Sequence, residues 1–352
     1  MKDKKYLSLY IKIKNKILSG EYRAGEKLPS KRVFADINGC SLITVETALG
    51  MLADEGYISP QQRSGYYVCP AIAMAPSRPD TAFTLVPLPD NPPPDSTEDF
   101  EYSLWFKTVR KVISDKDRRL FVKSPGKGIP ALRNAISEYL LRYRGMMAQP
   151  EQILIGSGSE QLYEIVVKIL GRDKIFGIEN PSYPQIEAVY KGAGAGIEKL
   201  KMGKDGIDND ALQKSRADIL HVTPFQSYPT GITTSAIKKY EYLRWAKDNR
   251  YIVEDDFNSE FFIPGKPIET LYSLDGGEKI IYINTFSKSL SPSMRMGYMI
   301  LPPHLMKEYD KKMGMFSCSV PVLEQYVLTE FIKSGSFERH LNRMRRKMRS
   351  GK

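Results

Sequence analysis

Residues 153–161 read Ile153-Leu154-Ile155-Gly156-Ser157-Gly158-Ser159-Glu160-Gln161: an apolar run, a turn of small residues, then the start of a helical pattern. The run has the length of a buried strand. The glycines and serines after it open a helix whose first N–H groups and dipole can hold a phosphate. The same alternation repeats on both sides of this stretch. Strand-like runs stand at 152–155, 175–178, 219–222, 251–254 and 279–283, with helical patterns at 129–143, 160–170, 183–192 and 236–248. Strands alternating with helices predict an α/β fold with a mostly parallel sheet covered on both faces. Ligands of such sheets sit beyond the C-terminal strand ends, so the residues just after each run are the candidates for chemistry.

Two further strand ends carry reactive groups. Glu254-Asp255-Asp256 could hold a metal or pair with a cationic ring nitrogen, and acidic residues in that position also act as simple caps. Thr285-Phe286-Ser287-Lys288-Ser289-Leu290-Ser291 sets a lysine among small hydroxyl residues, seven positions before Arg295. That company suits phosphate binding better than plain solvation.

The chain has 352 residues, 41% hydrophobic and 26% charged, an ordinary globular composition and enough length for two or three cores. Its apolar stretches are too short to span a membrane, and Met1-Lys2-Asp3-Lys4-Lys5 leads into an amphipathic pattern rather than a secretory signal. Cys40, Cys69 and Cys318 are scattered, so neither a disulfide framework nor a Cys/His metal site is expected. A soluble, cytoplasmic protein is the expectation. The net charge of +11 is uneven: residues 1–68 hold 11 Lys/Arg against 7 Asp/Glu, and 339–352 hold seven basic residues and no acid. A basic N-terminal block beside a neutral middle suits a nucleic-acid-binding head on a different body.

In that block Leu7, Tyr10, Ile13 and Ile17 recur at helical spacing. Ser30 is a natural N-cap for a second helix, Asn38-Gly39-Cys40 a tight turn, and Ser41 the cap of a third helix with Val45, Leu49 and Leu52 inward. Residues 57–59 and 66–68 read as short strands joined by 60–65. Helix, helix-turn-helix and hairpin make a winged helix. Residues 70–94 then hold eight prolines, which block helix and sheet and predict an extended linker over 70–99 between domains at 1–69 and 100–352.

Ala24-Gly25-Glu26-Lys27-Leu28-Pro29-Ser30-Lys31-Arg32, Ser41-Leu42-Ile43-Thr44-Val45-Glu46, Leu52-Ala53-Asp54-Glu55-Gly56-Tyr57 and Arg63-Ser64-Gly65 closely resemble the GntR-type DNA-binding domain. The resemblance implies double-stranded operator DNA as partner and Ser30, Lys31, Arg32, Ser41, Thr44, Arg63 and Gly65 as contact residues, with the third helix in the major groove. Many such domains carry arginines on that helix; here Leu42 and Glu46 stand instead, so base readout is expected to lean on Ile43, Thr44 and Thr47.

The strand ends, with Gly126-Lys127-Gly128-Ile129-Pro130-Ala131-Leu132-Arg133, Glu179-Asn180-Pro181-Ser182-Tyr183-Pro184, Thr223-Pro224 and Tyr228-Pro229-Thr230-Gly231, resemble the fold-type-I pyridoxal-phosphate enzymes. The specific likeness is to the aminotransferase-like domain of MocR regulators. It implies pyridoxal 5'-phosphate as cofactor, joined to Lys288 as a Schiff base. Asp255 (or Asp256) would pair with the pyridine nitrogen, and Gly158, Ser159, Ser287 and Arg295 would hold the phosphate. Tyr183 would stack on the ring, and Tyr228 falls within the matched motif. It also implies a homodimer and an amino compound as effector.

Three departures speak against turnover. Phe257 replaces a usual tyrosine, Gln185 stands where a relative has an effector-binding arginine, and the chain stops at 339–352, in the helix that leads to a C-terminal subdomain bearing a carboxylate-clamping arginine. The basic end is then expected to be an exposed connecting helix. A regulator that senses cofactor or an amino compound is the first reading. The rivals are an aminotransferase with a DNA-binding appendage and a DNA-binding protein whose body is only a scaffold.

Overall fold

A computed structural model describes residues 5–61, 64–70, 100, 102–247, 249–261 and 269–350. The chain divides into a unit over residues 1–90 and a unit over residues 91–352. The proline-rich stretch 70–99 lies outside the described residues except for Pro70.

The first unit has helices α1 (Lys5–Leu18), α2 (Lys31–Asn38) and α3 (Leu42–Asp54), then strands β1 (Ile58–Gln61) and β2 (Gly65–Val68). Ser30 and Ser41 cap α2 and α3 by accepting from Val33 N and Thr44 N, and Gly39 at φ 57° makes the corner between them. Leu9, Ile13, Ile17, Phe34, Val45, Leu49, Leu52, Ile58 and Val68 form the core. Leu9 rather than Leu7 completes the inner stripe of α1; Leu7 falls at the edge of that stripe and stays 43% exposed. The hairpin is longer than its sequence suggested, because Pro60 pairs opposite Tyr66 within β1. A two-stranded sheet has only edges, so a proline that lacks its N–H is tolerated there.

The second unit is built on a seven-stranded sheet. Its strands are β3 (Ile153–Gly156), β4 (Ile175–Asn180), β5 (Gly196–Lys201), β6 (Ile219–Val222), β7 (Tyr251–Asp255), β8 (Ile280–Thr285) and β9 (Gly297–Ile300), in the order β3-β9-β8-β7-β6-β4-β5. All pairings are parallel except those of β9, which runs against both β3 and β8. Alternate residues go to opposite faces. Ile153, Ile155, Leu220, Val222, Ile252 and Tyr282 join one apolar cluster, whereas Leu154, Ile219, Val253, Ile281 and Ile283 join the other. Burial on both faces explains why these strands read as mostly apolar runs.

Two strands escaped the sequence reading. β5 is an edge strand carrying Glu198, Lys199 and Lys201, so it shows no apolar run. β9 is four residues long. The helices include α4 (Tyr102–Lys116), α5 (Pro130–Tyr139), α6 (Ser159–Leu170), α7 (Pro184–Gly192), α8 (Asn209–Lys214), α9 (Ala236–Trp245), α10 (Leu271–Asp275), α11 (Pro303–Met313), α12 (Val322–Lys333) and α13 (Ser336–Ser350). The basic α13 is not simply exposed: Phe337 and Leu341 are buried in the core and Arg345 Nε donates to the Glu260 carbonyl at 2.7 Å.

Candidate functional site

At the end of β7 three consecutive carboxylates meet three different environments, because the pleat sends neighbours to opposite faces. Glu254 accepts from the Leu271 and Tyr272 N–H groups at 2.8 and 2.9 Å and so caps α10; burial, with Asp256 nearby, pushes its pKa up to about 7. Asp256 Oδ2 accepts from Arg144 at 2.8 Å and from the Tyr282 hydroxyl at 2.7 Å. Arg144 also donates to Ser259 at 2.6 Å and lies 3.7 Å from Glu260. Of the two aspartates proposed for a ring nitrogen, Asp256 is therefore committed to a buried structural network.

Asp255 differs. Its Oδ2 accepts from the Tyr163 hydroxyl, with His221 Nε2 at 3.6 Å, and its Oδ1 is buried without a protein hydrogen-bond partner. Burial holds the Tyr163 phenol well above its usual pKa, so it remains a donor. Tyr190, likewise raised by burial, shares a 2.7 Å hydrogen bond with His221 Nδ1. If Tyr190 donates there, the imidazole proton sits on Nε2, toward Asp255. A buried carboxylate oxygen left without a donor is costly and points to a missing partner.

The turn after β3 supplies an anion cradle. Gly158 caps α6 at φ 97°, and a Cβ there would meet the Arg295 guanidinium at 3.1 Å, so a side chain would occupy the space beside that cation. Arg295 also pairs with Glu160 at 3.0 Å on the exposed side. Ser159 opens α6 four residues before Tyr163, whose hydroxyl reaches Asp255.

Lys288 projects from the loop after β8. Its Nζ donates to Asn258 and lies 5.2 and 5.8 Å from the ring centroids of Phe257 and Phe261. Desolvation lowers its pKa, which raises the fraction of nucleophilic free amine. Ser287 precedes it, half-buried. Tyr183 and Tyr228, after β4 and β6, stand edge to face at 6.0 Å, 45% and 57% exposed. The arrangement can hold an anion at the α6 terminus, a cationic N–H against Asp255 and an electrophile near Lys288. No group of three or more His, Cys, Asp or Glu among the described residues could hold a metal.

Tyr163, His221, Asn258 and Arg144 were missed from sequence. Each sits on another element, and only Asn258, close behind the Glu254–Asp256 run, had a signal that could have drawn notice.

In the first unit, Ser30 and Ser41 serve as helix caps, and Ser41 Oγ lies 2.9 Å from Thr44 Oγ1. Lys31 is paired with Glu46 across the two helices, Arg32 is exposed, and Gly65 opens β2. Arg63 lies outside the described residues.

Two family models match the chain: "Bacterial regulatory proteins, gntR family" over residues 5–68 and "Aminotransferase class I and II" over residues 90–351. An uncharacterized HTH-type transcriptional regulator, YdeL of Bacillus subtilis, is 31% identical over 97% of this chain and 76% of its own length. The chain belongs to the HTH-type transcriptional regulators that carry an aminotransferase class I and II body. Within this family the probable rhizopine catabolism regulatory protein MocR of Rhizobium meliloti is 29% identical over 96% of this chain and 73% of its own length. Among solved structures, LysN, an alpha-aminoadipate aminotransferase from Thermus thermophilus, matches 71% of the chain with a TM-score of 0.63 and 27% identity. An archaeal alanine:glyoxylate aminotransferase matches 69% at 0.63 and 25%. The chain spans 64% and 62% of the length of those two enzymes. Members of this fold use pyridoxal phosphate. No helix among the described residues is long and apolar enough to cross a membrane.

Proposed function

We propose that this regulator binds operator DNA through residues 1–69 and holds pyridoxal phosphate in a body over 100–352, the two joined by the proline-rich stretch 70–99. The unpartnered Oδ1 of Asp255 carries the cofactor reading: it is a buried carboxylate oxygen lacking a cationic N–H, which a pyridinium supplies. The cofactor brings an electrophilic aldehyde conjugated to a ring that draws electrons. Lys288 Nζ would hold the cofactor through the aldehyde carbon, whose oxygen leaves as water, and desolvation favours the free-amine form this needs. Gly158, Ser159, Ser287 and Arg295 would hold the phosphate, Tyr183 would cover the ring face, and Tyr228 would border the entrance. Tyr163 and His221 keep Asp255 oriented with Oδ1 free. An amino compound competing with Lys288 for the aldehyde would be the sensed effector. Two copies of the chain would pair their bodies and offer two heads to related half-sites.

Titration with pyridoxal phosphate should give a visible absorption band in the wild type and none in Lys288→Ala. An identical band in the variant would refute that role. Gel filtration should give twice the 40.0 kDa chain mass. In the rival reading the body turns over, and amino-group transfer at about 10 per second, the typical enzyme median, would establish it.

A further inference from the structure

The DNA-facing helix lacks the groups that usually read bases by hydrogen bonding. Helix α3, LITVETALGMLAD, contains no Lys, Arg, His, Asn or Gln. Its inward residues are Val45, Ala48, Leu49 and Leu52, which leaves Leu42 and Ile43 49% and 76% exposed at its N-terminal end, with Glu46 and Thr47 exposed one turn on. Its hydroxyls are already engaged. Ser41 Oγ accepts from Thr44 N at 3.2 Å and shares a hydrogen bond with Thr44 Oγ1 at 2.9 Å. Thr47 Oγ1 donates to the Ile43 carbonyl at 2.8 Å. The neighbouring cation Lys31 is paired with Glu46.

A second feature marks the same helix. Gly50 lies one turn beyond Glu46 and Thr47, half-buried, and a Cβ added there would meet nothing within 4 Å. Packing gives no reason for glycine in mid-helix, where it is less stable than alanine. A bare backbone there lets a bulky partner approach closely.

Exposed isoleucine and leucine on a head with a net charge of +4 suit a surface that is anionic overall and apolar at the point of contact. The major groove offers one such feature, the C5 methyl of thymine. We propose that helix α3 of this head reads its operator by packing thymine methyl groups on Leu42 and Ile43, not by bidentate donors to guanine or adenine. The proposal rests on the DNA-binding reading of the head and goes beyond it by naming the base feature that is read.

The test uses the full chain and a random duplex library. Selected duplexes should carry thymines at the central half-site positions. Replacing those thymines by deoxyuridine, which removes only the methyl, should weaken binding about fourfold per methyl contacted. Ile43→Ser, shown folded by an unchanged melting transition, should bind the thymine duplex more weakly and lose most of the uracil penalty. Gly50→Ala should melt higher yet bind the same duplex more weakly. Guanine-dominated sites indifferent to uracil would overturn the thymine reading while leaving DNA binding intact. Failure to select any sequence, with no retardation of any duplex, would overturn the DNA-binding reading itself.

Discussion

Two charge pairs, one in each unit, show how differently the two halves use the same chemistry. Lys31 and Glu46 pair across α2 and α3 with side chains 39% and 62% exposed. Arg144 and Asp256 pair inside the second unit at 5% and 5%. The exposed pair can open to water or to DNA phosphate at little cost. The buried pair cannot, because either ion left alone would keep its charge in a low-dielectric interior. Around it Tyr139, Tyr282, Ser259, Asn284 and Glu260 complete a hydrogen-bonded network. The first unit therefore keeps this pair accessible to a partner, while the second locks Arg144 and Asp256 into the scaffold and leaves Asp255 Oδ1 without a protein hydrogen-bond partner.

Arg144→Met breaks that contrast most severely. With Asp256 and Glu260 left buried and uncompensated, the second unit should lose about 3–5 kcal/mol, read as a drop in its calorimetric transition. A loss below about 1 kcal/mol would mean that the network is solvent-relaxed like the exposed pair.

The contrast also has a pH signature. Burial raises both Glu179 and Glu254 to about 7. A carboxyl with a raised folded pKa binds its proton better in the native than in the unfolded state. The stability it contributes is complete below the unfolded value near 4.5 and is lost as pH rises through about 7. The melting temperature of the second unit should fall across that window, and Glu254→Gln should flatten the fall. The first unit, which contains neither glutamate, should show no such slope from these groups.

Glu46→Gln is the mildest change. Stability of the head should move by no more than about 1 kcal/mol. Non-specific DNA affinity should rise, since a carboxylate is removed from the helix proposed to enter the groove and Lys31 is released. Unchanged affinity at low salt would show that Lys31 does not reach phosphate.

The caps Ser30 and Ser41, the corner at Gly39 and the inward Val45, Leu49 and Leu52 were legible because each depends on neighbours within one turn. The runs at 175–178, 219–222, 251–254 and 279–283 were legible because burial on both faces leaves them mostly apolar, with His221 and Glu254 the polar residues inside the runs of β6 and β7. β5 was not, since an edge strand with charged residues has no such run.

Five of the seven strands of the sheet were legible from residue pattern alone, and with them the strand ends at which Lys288, Asp255 and Gly158 fall. Which carboxylate keeps an unpartnered oxygen is settled by tertiary contacts alone. Asp255 and Asp256 are adjacent and chemically identical, yet one meets Tyr163 from α6 and the other meets Arg144 from beyond α5, partners 92 and 112 residues away. Periodicity encodes which face is buried, a local property. It does not encode which side chain the opposite element brings to that face, because that depends on strand order and on how each helix packs across the sheet.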